Sequence, residues 1–260
     1  MPGRRHFANA SISHYPPFEA PFTEDTILKV SENGQVISET SVPLLFYKNG
    51  LEAILTSGRN KLVKGSGWSD EIVHLNKVDE LQSAIADDFP MFRKGYLALS
   101  LRKLNLIVVI NPVSGDIKWL KVWPWLRQHD PEFKQSGTIL VFNNNIFQNP
   151  YRKGSHITDT SIIHGSNIVE IDPVSNKYSI VYGDKGQQNF LSAIRGKHEI
   201  TADGSLLITG FQAGRVFEIN ASGNIIWEYI NRYSEKEVAE ITEARIYSKS
   251  YFNVTDWSCT

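Results

Sequence analysis

One cysteine, Cys259, is the whole thiol content of the 260-residue chain. A lone cysteine excludes an internal disulfide framework and a cysteine-only zinc site. No run of about 18 apolar residues occurs, so no segment reads as a membrane-spanning helix. The start "MPGRRHFANASISHY" has basic residues but no apolar stretch behind them, and it does not read as a secretion signal. Long basic runs are missing too. With 27 Lys and Arg against 28 Asp and Glu, a formal charge of −1, the chain lacks the electrostatic footprint of a nucleic-acid binder. Helical periodicity is scarce: only "SEKEVAEITEA", Ser234 to Ala244, reads as a short helix behind a serine cap. A hydrophobic share of 41% beside 21% charged residues still provides for the core of a globular protein.

What the chain has in place of helices is repetition. Three segments align. The first runs from "HLNKVDEL" through "GYLALSLRKLNLIVVINPVSGDIKWLKV". The second is "HDPEFKQSGTILVFNNN", then an insertion, then "GSNIVEIDPVSNKYSIVYGD". The third is "HEITADGSLLITGFQAGRVFEINASGNIIWEYI". Each opens on a histidine (His74, His129, His198) and reaches a glycine (Gly95, Gly137, Gly204) ahead of a short apolar run. A second apolar run follows and ends in Asn or Asp with a turn, and an outer run closes the unit.

The punctuation has a mechanism. Pro112 and Pro173 preset the backbone for a tight turn, while Gly115, Asn176 and Gly223 tolerate positive φ. Apolar or alternating runs of four to six residues between such turns are strands. Four strands per unit, repeated, predict an all-β fold of four-stranded antiparallel blades, a β-propeller. The expected blades are 70–123, 127–184 and 195–232. A partial one at 25–42 carries the hairpin signal Asn33-Gly34, and 233–260 forms a tail.

The first strand of a propeller blade lines the central channel, so His74, His129 and His198 are expected to converge on one cavity. Imidazole is a competent nucleophile near neutral pH and forms covalent intermediates. A neighbouring imidazole can take a proton from an incoming phenol. Histidine clusters also hold zinc or copper, which keeps a metal site as a rival. Asp130 and Glu199, adjoining two of the histidines, serve equally as metal ligands, as tautomer-setting partners or as solvated groups. No cofactor or metal is assigned.

Together, "HLNKVDEL…ADDFPMF…GYLALSLRKLNLIVVINP", "QHDPEF…GTILVFNNN" and "GKHEI…GSLLITGFQAGRVFEINASGNIIWEYINRY" resemble the bacterial arylsulfotransferase-like propeller proteins over roughly Asp70 to Tyr233. The resemblance implies a six-bladed ring, of which the three and a half units here would be a C-terminal portion. It also implies export to the periplasm or beyond, and transfer of a sulfuryl group between phenolic compounds through a transiently sulfurylated channel histidine. A small aromatic ligand, phenolic or aryl sulfate, is the implied partner. By motif position His198 resembles the nucleophile, and His129 and His74 the assisting histidines. The sulfate-binding arginine follows an "FDNG"-like segment in that family. Here the segment reads "FNNNIFQNPYR", which makes Arg152 the nearest match; Arg102, closing the equivalent strand one blade earlier, is the alternative. Arg215 reads as structural, and "WPWL" (Trp123 to Leu126) as blade packing or an aromatic wall. A non-enzymatic ligand- or protein-binding propeller is the competing expectation.

Overall fold

The computed structural model describes residues 1–7, 22–57, 71–146, 165–184, 190–248 and 250–254. The chain is all-β, a set of antiparallel sheets of the β-propeller type, with two short α-helices among the described residues. It divides into two compact units, Met1–Ala193 and Ile194–Thr260.

Unit 1 holds three sheets. The first has the order β1 (Pro2–Phe7), β2 (Phe22–Val30), β3 (Val36–Ser41). The second joins β4 (Leu75–Glu80), β5 (Leu97–Leu101), β6 (Leu106–Ile110) and β7 (Ile117–Val122). The third joins β8 (His129–Lys134), β9 (Thr138–Asn143), β10 (Asn167–Ile171) and β11 (Tyr178–Tyr182). In each, every strand pairs with the next one in the chain, the meander of a propeller blade. The wholly apolar run of β6, "LIVVI", is buried at every position because both faces of its sheet are covered. Leu99, Leu101, Val108 and Ile110 pack toward the first sheet, with Phe22, Val42 and Phe46. Ala98, Ile107 and Val109 pack toward the third, with Ile139, Val141 and Phe133. Alternate residues of one strand thus serve two cores.

The first sheet is supplemented by α1 (Val42–Lys48) and α2 (Glu52–Thr56). Ser41 caps α1 by accepting the Leu44 amide at 3.1 Å, with a proline in the first turn, a start signal that the apolar run "SVPLLFY" hid within a strand-like pattern. Beyond α1, Asn49 takes the place of a strand: its Nδ2 donates to the Gly115 carbonyl at 2.9 Å and its Oδ1 accepts the Ile117 amide at 3.0 Å.

Among the described residues unit 2 holds one sheet, β12 (Lys197–Ile200), β13 (Leu206–Gly210), β14 (Arg215–Ile219) and β15 (Ile225–Ile230). The helix expected at Ser234–Ala244 does not form. That stretch is bent and extended, with Arg232 bridging Val238 and the Ala239 amide donating to the Asn231 carbonyl at 2.8 Å. Val238 and Ile241 are too few to bury an apolar stripe, and a helix this short is marginal in water without one.

The repeated turns follow their chemistry. Asn111, Asp172 and Asn220 each end the third strand of a sheet and accept the amide two residues on, from Val113 at 2.9 Å, Val174 at 2.8 Å and Ser222 at 3.0 Å. Gly137 shows why glycine precedes the second strand: it has φ +76°, and a Cβ there would meet the Asp88 carbonyl oxygen at 2.3 Å. Among the described residues no helix is long and apolar enough to cross a membrane.

Candidate functional site

The third sheet of unit 1 opens at a heavily constrained corner. Trp125 is buried and donates its indole N–H to the Asn105 carbonyl at 2.9 Å, while the Arg127 amide donates to Asn105 Oδ1 at 2.7 Å. Gln128, fully buried, donates from Nε2 to the Leu106 carbonyl at 3.0 Å, and its own carbonyl accepts from Asn76 Nδ2 at 3.0 Å. These bonds tie β8 to the second sheet. Arg127 and Asp130 both stand at positive φ, 54° and 49°, and the β8–β9 pairing has a bulge between His129 and Glu132. Bulges re-aim side chains. Here the bulge separates two of them: Asp130 turns to Lys77 of β4, 2.8 Å away, and His129 turns elsewhere.

His129 Nδ1 lies 2.6 Å from Asn144 Oδ1 and 3.1 Å from the Arg127 carbonyl. The amide of Asn144 is oriented by its other end, since Nδ2 donates to the Ser192 carbonyl at 2.5 Å. Both partners of Nδ1 are acceptors, so Nδ1 carries the proton and Nε2 keeps its lone pair. Burial holds the imidazole neutral, its pKa down to about 4. The Asn144 bond opposes that shift, and the positive charges of Arg102 and His74 add to it. His129 is therefore a neutral base near neutral pH.

His74 sits immediately before β4 at φ 56°, again beside a bulge, between Leu75 and Lys77. Its carbonyl accepts the Arg102 amide at 3.0 Å, which sets Arg102 beside it at the end of β5. Its Nδ1 meets the carboxylate of Glu71. Burial lowers the His74 pKa, Glu71 pulls it up, and Arg102 lowers it further. Arg102 in turn has its pKa lowered by burial and by the neighbouring Arg127 charge. Two imidazoles and a guanidinium thus share one electrostatic neighbourhood in unit 1.

His198 belongs to unit 2, where it is the second residue of β12, faces Ile208 of β13 and is 4% exposed. His129 and His198 lie on the first strand of their sheets and His74 just ahead of its own, each at a different register. His129 pairs with the fifth residue of its partner strand and His198 with the third of its own, while His74 precedes its strand. Arg152 lies outside the described residues, as does Cys259. Among the described residues Asp130 binds Lys77, and Glu199 accepts the Ile246 amide at 3.3 Å. Arg215 is structural, paired with Glu228 and stacked 4.4 Å over the Phe217 ring. In "WPWL", Trp125 is core, while Trp123 is exposed against Tyr178 with ring centroids 5.0 Å apart. Among the described residues no group of three His, Cys, Asp or Glu side chains has the arrangement of a metal site.

Sequence reasoning missed Glu71 and Asn144. Both stood in quoted or adjoining stretches, but a tautomer-setting acceptor has no spacing rule once loops and bulges intervene.

A pH experiment checks the electrostatics. Asp79 of β4 accepts the Phe133 amide at 3.1 Å, and burial pushes its pKa up to about 6 against the pull of that bond and of Lys77. The folded state then holds an Asp79 proton that the unfolded chain releases near pH 4. That contribution is complete below about pH 4 and is lost as pH rises through about 6. His129 acts in the opposite sense: its unfolded pKa of about 6.5 falls to about 4, so its contribution is present above about 6.5 and lost as pH falls through about 4. Asp79→Asn keeps the acceptor and removes only the first slope. Its melting temperature is expected to climb more steeply than that of the unmodified protein between pH 4 and 6; parallel profiles would refute the buried Asp79.

The model of the arylsulfotransferase (ASST) family matches residues 12–232. No curated protein matches the chain in sequence. Solved structures similar to it include a protein of unknown function from Bacteroides caccae, 14% identical, covering 79% of this chain and 53% of that one at a TM-score of 0.41. The WD40 repeats of RRP9 are 11% identical, with coverages of 78% and 46% and a TM-score of 0.42. Virginiamycin B lyase from Staphylococcus aureus is 14% identical, with coverages of 88% and 59% and a TM-score of 0.39. The chain spans about half the length of these proteins, and likenesses of this depth carry no functional inference.

Proposed function

The chain belongs to the arylsulfotransferase family, and from that premise we propose that it moves a sulfuryl group from an aryl sulfate to a phenolic acceptor through histidine. One observation carries the reading: His129 is a neutral imidazole whose Nδ1–H is committed to Asn144 and the Arg127 carbonyl, in the neighbourhood of Arg102 and His74. A neutral imidazole that feels the charge of a guanidinium supports sulfuryl transfer, which needs a base for the acceptor hydroxyl and a cation for the sulfuryl oxygens.

In the proposed sequence an imidazole nitrogen attacks sulfur, an N–S bond forms, and the donor's aryl O–S bond breaks to release a phenolate that takes up a proton. The acceptor phenol then attacks sulfur, its proton passes to His129 Nε2, and the N–S bond breaks. His198 has the covalent role by motif position, and His74 assists. Arg102 is the guanidinium on the sulfuryl oxygens. Arg152 keeps its motif claim to the same task, and replacing each arginine separately decides between them by the larger loss of rate.

The test is incubation of the protein with an aryl sulfate, with and without a phenol. The expected result is a mass increase of one sulfuryl group on a histidine-bearing peptide, discharged when phenol is added. Ligand binding with no donor consumption would replace this reading by a binding propeller.

A further inference from the structure

We infer that Glu71, anchored by Arg4 of β1, is the positioning residue of His74, fixing its Nδ1–H tautomer and leaving Nε2 as the working nitrogen; the use of that nitrogen in transfer rests on the function proposed above. Glu71 Oε2 meets His74 Nδ1. A carboxylate only accepts, so the ring proton lies on Nδ1. The other carboxylate oxygen, Oε1, is 2.5 Å from Arg4 Nη1. Glu71 is held by its backbone as well: its carbonyl accepts from Lys103 Nζ, and it bridges Thr23 of β2 in parallel.

The anchor is itself anchored. Arg4 stands directly across from Asp25 in the β1–β2 pairing, and its Nε and Nη2 both donate to Asp25 Oδ1 at 3.2 Å. Asp25 is 1% exposed, and its Oδ2 accepts the amide of Leu75, the residue after His74, at 3.2 Å. The ring of His74 is thus gripped through Glu71, its carbonyl through Arg102 and the next amide through Asp25, all at a positive φ that is uncommon outside glycine. A buried carboxylate that pairs with Arg4 inside the first sheet and spends its second oxygen on the Leu75 amide is an expensive way to gain stability. A backbone held out of its ordinary range beside it points to orientation as the purpose. His129 has the same construction with a neutral acceptor in place of the acid.

The charged groups acting on His74 are Glu71, Asp25 and Arg102, with His129 in the same neighbourhood and the Lys103 amine on the Glu71 carbonyl. The test is imidazole 15N NMR on the full chain, assigned with His74→Gln, together with transfer kinetics. In the unmodified protein the neutral His74 ring is expected as the Nδ1–H tautomer. Glu71→Gln should lower its pKa by roughly one unit, the effect of losing an adjacent opposite charge. Arg4→Gln, which loosens the anchor and leaves the acid in place, should relax the tautomer preference. In kinetics Glu71→Gln should shift the acid limb of the pH profile to lower pH and reduce kcat about 10-fold or more with KM little changed. An Nε2–H tautomer in the unmodified protein, or a His74 pKa unmoved in folded Glu71→Gln, overturns the inference. The predicted tautomer and shift without any sulfuryl transfer would uphold the positioning of His74 and overturn only its proposed use.

Discussion

His198→Ala is expected to give no sulfuryl adduct at all, whereas His129→Gln should form the adduct and discharge it slowly. The contrast separates two tasks of one imidazole chemistry. A covalent nucleophile cannot be replaced by a methyl group, so the first half-reaction stops. A base that accepts the phenol proton contributes about 10²–10⁴-fold, equal to about 2.7–5.4 kcal/mol of barrier, and its loss leaves the first half-reaction intact. Gln at 129 keeps a polar side chain at the end of β8, so the neighbouring bonds of Gln128 and Asn144 should survive. The measurement is the mass of the trapped protein after a brief exposure to donor, followed by its decay on adding phenol. If His198→Ala still forms the adduct and His129→Gln does not, the roles are exchanged. The lone pair at His129 Nε2 would then be the nucleophile, for which its neutral state at pH 7 equally fits it.

Fold class was legible because propeller blades repeat their chemistry. The Asn or Asp that ends each third strand, the turn after it and the glycine before each second strand reappear at fixed places, and each has a local physical cause that a sequence displays. The three histidines open the repeated segments of the sequence, but they stand at different register positions in their sheets. What decides their chemistry was not legible. Glu71 meets His74 three residues on, through the bend that precedes β4, Asn144 reaches His129 from the far end of β9, and the choice between Asp130 and Asn144 as partner of His129 turns on one left-handed residue. Adjacency in sequence left Asp130 open as a metal ligand, a tautomer-setting partner or a solvated group, and the bulge turns it to Lys77. The missing helix at Ser234–Ala244 and the overlooked α1 are the same lesson at the level of elements. Capping signals state where a helix can begin, but burial of an apolar face decides whether it does: Val42, Leu45 and Phe46 are buried in α1, while the tail has nothing comparable to bury.

Trp125→Ala should be the most damaging substitution in unit 1 that touches no proposed site residue. The side chain is 1% exposed and packs with Phe133, Trp119 and Ile107 between the second and third sheets. Truncating a buried tryptophan removes its transfer free energy and leaves a cavity, about 3–5 kcal/mol together. Total stabilities of domains are about 5–15 kcal/mol, so this one change takes a large share. Its indole N–H also satisfies the Asn105 carbonyl, which would be left without that donor. Trp125→Phe isolates that part, since it keeps most of the ring volume and should cost about 1–3 kcal/mol. The consequence extends to the site, because Asn105 also holds the Arg127 amide, and the Arg127 carbonyl is one of the two acceptors that fix His129 Nδ1–H. Urea unfolding of unmodified protein, Trp125→Ala and Trp125→Phe measures the series. A loss below about 1 kcal/mol for Trp125→Ala would mean that the two sheets do not close over this side chain, and the corner that sets the His129 tautomer would lose its support with it.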